Sequence, residues 1–188
     1  MERVRDVAVL VGSLRKESVT RKVVLAMKGL APPSLALDIV EIRDLPMYDE
    51  DLETETPPRE WVNFRERIRR ADALLFATPE YNRSVPGCLK NSVDVGSRPG
   101  GHGVFSGKPG AIVSVTPYGL GAFGANHHLR QALVYVNVLT MAQPEAYVSQ
   151  AGDLVDADNH ITRESSKMFL VSFLNAFAAW VDKMAAAT

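Results

Sequence analysis

Apolar residues run almost unbroken through segments 7–11, 73–77 and 111–115. Runs this short and this uniform predict parallel strands buried on both faces. Segment 37–42 admits Asp38 and Glu41 and predicts a strand nearer a sheet edge, and segment 146–148 predicts the opposite edge. Between these runs, apolar positions recur at helical spacing. Val19, Val23, Ala26, Met27 and Leu30 share one face, as do Trp61, Phe64, Ile68 and Ala71. Leu129, Ala132, Leu133 and Val136 form a third stripe, and Leu170, Phe173, Leu174, Phe177 and Val181 a fourth. Pro86 and Gly87 open a further helix predicted to run to about Arg98, because proline lacks an N–H that the first turn would leave unpaired anyway.

Strands alternating with helices predict an α/β fold, a doubly wound five-stranded parallel sheet in the order 2-1-3-4-5, of flavodoxin type. No repeat, low-complexity tract or long linker divides the chain, so residues 1–188 are expected to form a single domain. In that strand order the loops after Val11 and Ala77 lie side by side at the carboxyl ends of the strands, where such folds bind ligands.

Composition narrows the partners. Lys+Arg 21 against Asp+Glu 22 gives a net charge of −1, which implies no nucleic-acid or membrane field. Cys88 is the single cysteine, which excludes an internal disulfide and argues against a cysteine zinc cage. Segment 7–11 is far too short to span a bilayer and no signal cleavage site follows it, so a cytoplasmic location is expected. The glycosylation sequon at 82–84 is read as chance without a secretion signal.

The candidate chemistry lies in the two loops. Residues 12–20 lead from the first strand into the first helix, whose N-terminus offers free N–H groups and partial positive charge. Ser13, Ser18 and Thr20 add hydroxyls, and the Arg15 guanidinium can make two parallel bonds to phosphate oxygens. A single Ser or Thr here would be read equally well as a helix cap. Three hydroxyls with an arginine favour a phosphate site. The GxxxxGK[ST] pattern is absent, which argues against nucleoside triphosphate hydrolysis. The second loop, 78–87, is stiffened by Pro79 and Pro86 and carries Tyr81 and Asn82. A flat heteroaromatic ring with polar edges suits such a surface, although alone the loop also reads as an ordinary proline-rich turn.

Together, Gly12-Ser13-Leu14-Arg15-Lys16 with Ser18, then Pro79-Glu80-Tyr81-Asn82, then Pro86-Gly87-Cys88-Leu89-Lys90-Asn91 resemble the NADPH-dependent FMN reductase family. The resemblance continues through Ser97-Arg98-Pro99 to Leu129-Arg130-Gln131. That flavodoxin-like family includes quinone, chromate and azo-dye reductases. The resemblance implies that Ser13, Arg15, Ser18 and Thr20 hold the FMN phosphate, that Leu14 and Val19 also belong to the cofactor site, and that Pro79, Glu80, Tyr81 and Asn82 line the isoalloxazine ring. It also implies a third loop, with Thr116, Pro117 and Gly119 approaching the flavin. Two departures stand out: Thr20 replaces a common Asn, and Val95 replaces a common Trp, with a changed subunit contact or pocket rim as the expected consequence.

Residues 119–124 match GxGxxG, with Glu145 about twenty residues later. A Rossmann dinucleotide site is rejected because the motif follows the fourth strand and too little chain remains for a second half. His127 and His128 point about 100° apart on a helix and suit a surface or interface better than a metal. His102, in a Gly-rich loop, is a weaker candidate for substrate contact. Cys88 is expected to be a buried structural thiol, and residues 48–53 a solvated acidic stretch without the glycine of a calcium loop. Lys90, Asp94 and Arg98 predict a salt-bridge ladder on one helix face, which the resemblance places beside a dimer interface.

By resemblance, the expected function is an FMN-dependent oxidoreductase. NADPH or NADH would pass hydride to the flavin, and a small-molecule electron acceptor such as a quinone, flavin, azo compound or chromate would then take its place. The protein would supply position and electrostatics and no catalytic side chain. A homodimer or homotetramer is expected. The alternatives are a flavodoxin-type electron carrier, disfavoured by near-neutral charge and Arg15, and a flavin-free interaction module.

Overall fold

The computed structural model describes residues 3–186; Met1, Glu2, Ala187 and Thr188 of the expected single domain lie outside the described residues. The centre of the sheet is β1 (Arg5–Val11), β3 (Ala73–Thr78) and β4 (Pro109–Val115). Every residue of β3 and β4 is buried, as their unbroken apolar runs require. At one edge, β2 (Leu35–Val40) alternates buried and exposed positions. All pairings are parallel in the order β2-β1-β3-β4-β5, the flavodoxin-like arrangement.

The far edge differs from expectation. Two short strands share it: β5 (Leu139–Thr140) pairs with Pro109 and Gly110, and β6 (Ala146–Val148) pairs with residues 113–115 of β4. Pro144, between them, has no N–H to donate to a ladder. Two residues of β5 are too few to show a period.

Side-chain alternation divides the core. Val7, Val9, Val11, Leu75, Val113 and Val115 face one side and pack with α1 (Val19–Leu30) and α5 (Glu164–Ala185). Ala8, Leu10, Leu74, Phe76 and Ile112 face the other, with α2 (Arg59–Arg70), α3 (Gly87–Gly96) and α4 (Phe123–Tyr135). A one-residue slip in any strand would invert this assignment. By length and apolarity α5 is also able to cross a membrane, yet its Leu170, Phe173, Leu174, Phe177 and Val181 stripe is buried on the sheet. Each such side chain contributes about 1.5–3 kcal/mol by leaving water.

Three local expectations change. Helix α3 stops at Gly96, where a Cβ would lie 2.3 Å from the Phe105 ring, and Ser97 Oγ closes the end by donating to the Asp94 carbonyl at 2.8 Å. Arg98 therefore lies outside the helix, and the ladder reduces to Lys90–Asp94 at 2.7 Å. Val95 is fully buried in the core, with its carbonyl accepting from Arg65 Nε at 2.9 Å, so it forms no pocket rim. The acidic stretch is not simply solvated. Half-buried Glu53 accepts both Nη groups of buried Arg65 at 2.8 and 2.6 Å, and Tyr48 stacks on Trp61 with centroids 5.4 Å apart.

Candidate functional site

The loops after β1 and β3 meet as the strand order requires. The Gly12 N–H donates to the Ala77 carbonyl at 2.8 Å. A Cβ on Gly12 would lie 3.0 Å from Leu89 Cδ2 and 3.3 Å from Pro79 Cδ. Glycine is thus the residue that lets the first loop close against the second.

In the first loop, Ser18 is the N-cap of α1 and its Oγ accepts from the Arg21 N–H at 3.1 Å. The cap reading is therefore correct for Ser18. Val19 and Thr20 occupy the first two helical positions, whose N–H groups have no acceptor within the helix. Ser13, Ser18 and Thr20 are buried, Leu14 and Val19 half-buried, and the Arg15 guanidinium exposed. Arg43 donates to the Leu14 carbonyl and fixes the loop backbone. Lys22 bonds Glu17 at 2.5 Å, which holds that carboxyl below its usual range. The cluster of N–H groups, hydroxyls and guanidinium suits a phosphate dianion.

The second loop is a two-residue hairpin. Tyr81 and Ser84 exchange backbone bonds of 3.1 and 3.0 Å, and Asn82 and Arg83 both adopt positive φ, 51° and 64°, as this tight turn demands. Tyr81 is 47% exposed and Asn82 is also exposed. Thr78 Oγ1 donates to the Pro79 carbonyl at 2.7 Å. Ser84 Oγ lies 3.0 Å from His128 Nδ1.

The structure places the Glu80 side chain away from a simple ring-lining role. Its Oε2 accepts the Ala125 N–H at 3.1 Å, an anion at the N-terminus of α4, and its backbone remains with the hairpin. Gly124 makes the contact possible, since a Cβ there would lie 2.7 Å from the Arg83 carbonyl oxygen. The hairpin and the third loop are therefore one packed unit.

In that third loop Thr116 is buried and Oγ1 accepts from the Tyr118 N–H at 3.2 Å, whereas Pro117 and Gly119 are exposed. No protein atom lies within 4 Å of the Cβ position at Gly119. The glycines under steric demand are Gly124 and Gly121, the latter at φ 60° with Tyr147 Cβ 2.6 Å from its Cβ position. The GxGxxG match thus follows β4 and serves packing.

Other residues fall as follows. His127 Nε2 lies 3.0 Å from the Tyr147 hydroxyl and its ring is 4.1 Å from that of Phe123, at the surface as expected. His102 is exposed in the α3–β4 connection, which leads to the amino end of β4 and not to the loops of the site. Cys88 is half-buried, and burial pushes its thiol pKa up. Sequence reasoning missed the Glu80–Ala125 contact and the role of Arg43; both join positions far apart in the chain.

The donor set fits FMN: an anion cradle at α1 stands beside a stiff hairpin that presents Tyr81, Asn82 and backbone groups. The comparisons agree. Residues 5–153 match the family model described as NADPH-dependent FMN reductase. The chain is 58% identical over 181 residues to a quinone reductase of Pseudomonas putida, covering 96% of this chain and 97% of the relative. It is 41% identical to a 2-hydroxy-1,4-benzoquinone reductase of Burkholderia sp., covering 93% and 95%. The solved structure of FerB, an NAD(P)H:(acceptor) oxidoreductase flavoenzyme from Paracoccus denitrificans, superposes with a TM-score of 0.91 at 39% identity, covering 96% of this chain and 99% of that one. Site geometry, family match and close structural likeness lead to one conclusion: this chain belongs to the NADPH-dependent FMN reductase family.

Proposed function

We propose that this chain is an NAD(P)H-dependent FMN oxidoreductase that reduces quinones. The observation that carries the reading is the junction at Gly12, which sets the anion loop of α1 directly beside the Tyr81–Ser84 hairpin. FMN, when bound, supplies the redox chemistry by taking two electrons from NAD(P)H and passing them to the acceptor. The Val19 and Thr20 N–H groups, the Ser13, Ser18 and Thr20 hydroxyls and Arg15 bind the phosphate. Pro79, Tyr81 and Asn82 orient the ring, while Glu80 holds their loop against α4. Among the described residues the Asn82 and Gly119 N–H groups have no acceptor within the protein, unlike those of Tyr81, Ser84 and Thr116, and would donate toward negative charge on the ring edge. Exposed Tyr81 and Gly119 leave one face for donor and acceptor in turn.

That shared face supports ping-pong kinetics and an acceptor range wider than quinones: free flavin, azo compounds and chromate. The same proposal includes a cytoplasmic setting and a homodimer or homotetramer. The test is FMN titration of the purified protein, then NADPH-driven reduction of 1,4-benzoquinone. Saturable flavin binding and parallel double-reciprocal plots are expected. Convergent plots would contradict the ping-pong order. FMN binding without turnover would favour an electron carrier, and no FMN uptake an interaction module.

A further inference from the structure

A polar cavity of about 260 Å³ opens at the carboxyl ends of β1 and β2, on the side of the phosphate loop away from the hairpin. Arg15, Lys16, Arg21 and Arg43 line it against one carboxylate, Glu41. In a chain whose net charge is −1, that is a local concentration of positive charge. Glu41 directly follows β2 and is already bonded by both Nη groups of Arg21. Lys16 makes no hydrogen bond or ion pair among the described residues, while Arg15 lies in the field of Glu17 and belongs to the flavin phosphate loop.

This cavity adjoins the flavin phosphate cradle on its β2 side. Ser13, Leu14 and Arg15 border both, but Ser18, Thr20 and the hairpin do not line the cavity. The end of β2 has a known significance in doubly wound folds that bind dinucleotides. A carboxylate there receives the 2′-hydroxyl of the adenosine ribose, and a nearby arginine accommodates a 2′-phosphate. Here the α1 N-terminus is committed to flavin, so only the charge logic carries over. The carboxylate is neutralised by Arg21, Arg43 follows two positions later, and Lys16 adds a cation that the flavin phosphate site does not use. A phosphate monoester matches this set, because guanidinium groups bind its oxygens in bidentate fashion.

We propose that this cavity takes the 2′-phosphate of NADPH and gives the protein its preference for NADPH over NADH. The inference rests on NAD(P)H being the electron donor. Its test uses FMN-loaded protein titrated with 2′,5′-ADP, with 5′-AMP and with inorganic phosphate. The two nucleotides differ only in the 2′-phosphate. The 2′,5′-ADP is expected to bind at least about tenfold tighter than either other probe, the scale of one charged hydrogen bond. Lys16→Ala, which removes no internal contact, is expected to raise the KM for NADPH about tenfold with the KM for NADH and FMN affinity unchanged. The double variant Lys16→Ala/Arg43→Ala is expected to abolish discrimination between the nucleotides.

Equal binding of the two nucleotides would overturn the proposal, as would equal shifts in the two KM values. Inorganic phosphate binding as tightly as 2′,5′-ADP would also overturn it, since the cavity would then be a free-anion site. Preserved nucleotide discrimination in a protein that oxidises neither NADPH nor NADH would uphold the cavity assignment while removing the reductase reading.

Discussion

In the flavin phosphate site proposed above, Arg15 supplies the side-chain charge. Its guanidinium is exposed beside three buried hydroxyl residues. Arg15→Ala is expected to weaken FMN binding by about 1.5–3 kcal/mol, the worth of a charged hydrogen bond; unchanged affinity by fluorescence titration would remove it from the site. Cys88 gives a second expectation. Burial raises its pKa, so less thiolate is present at neutral pH and alkylation by iodoacetamide should be slower than for glutathione. The rate should rise with pH through and above the usual thiol range; rapid alkylation at pH 7 would contradict the burial. The meeting of the two loops was legible in the sequence because the strand order brings the ends of β1 and β3 together. The direction of Glu80 was not, since its partner Ala125 lies 45 positions away and no local pattern encodes that contact.

The central strands and the helical stripes were readable because burial on both faces leaves little freedom in residue choice. The split edge was not, because pairing with β4 defines β5 and β6 more than their own residues do. The end of α3 was missed for a similar reason: its last residue, Gly96, packs directly against Phe105, a tertiary contact. The packed unit of hairpin and α4 N-terminus makes a testable contrast between two glycines. Gly124→Ala places a methyl group 2.7 Å from the Arg83 oxygen and should displace the hairpin, lowering both FMN affinity and Tm. Gly119→Ala meets no protein atom within 4 Å and should leave Tm within about 1–2 °C, the small change typical of surface substitutions in a domain this size. Equal loss of Tm in the two variants would contradict the packing described.

Across the whole molecule, two helical layers clamp a sheet whose carboxyl edge carries every loop of the site. The acidic segment after β2 is tied into that body by the part-buried Glu53–Arg65 pair, and Arg65 in turn holds the Val95 carbonyl of α3. Arg65→Met leaves the half-buried Glu53 without its partner and the Val95 carbonyl without its donor, and should cost about 1.5–3 kcal/mol, measurable by urea denaturation; a change below about 1 kcal/mol, the range of exposed pairs, would show the pair to be solvated. The central claim is that this body presents FMN to a reductant and then to a quinone. It is tested most directly by following the absorbance of the FMN-loaded protein anaerobically after one equivalent of NADPH and then one equivalent of 1,4-benzoquinone. Bleaching of the flavin band by NADPH, followed by its full return on adding quinone, is the predicted result. A flavin band that NADPH leaves unchanged would contradict the account.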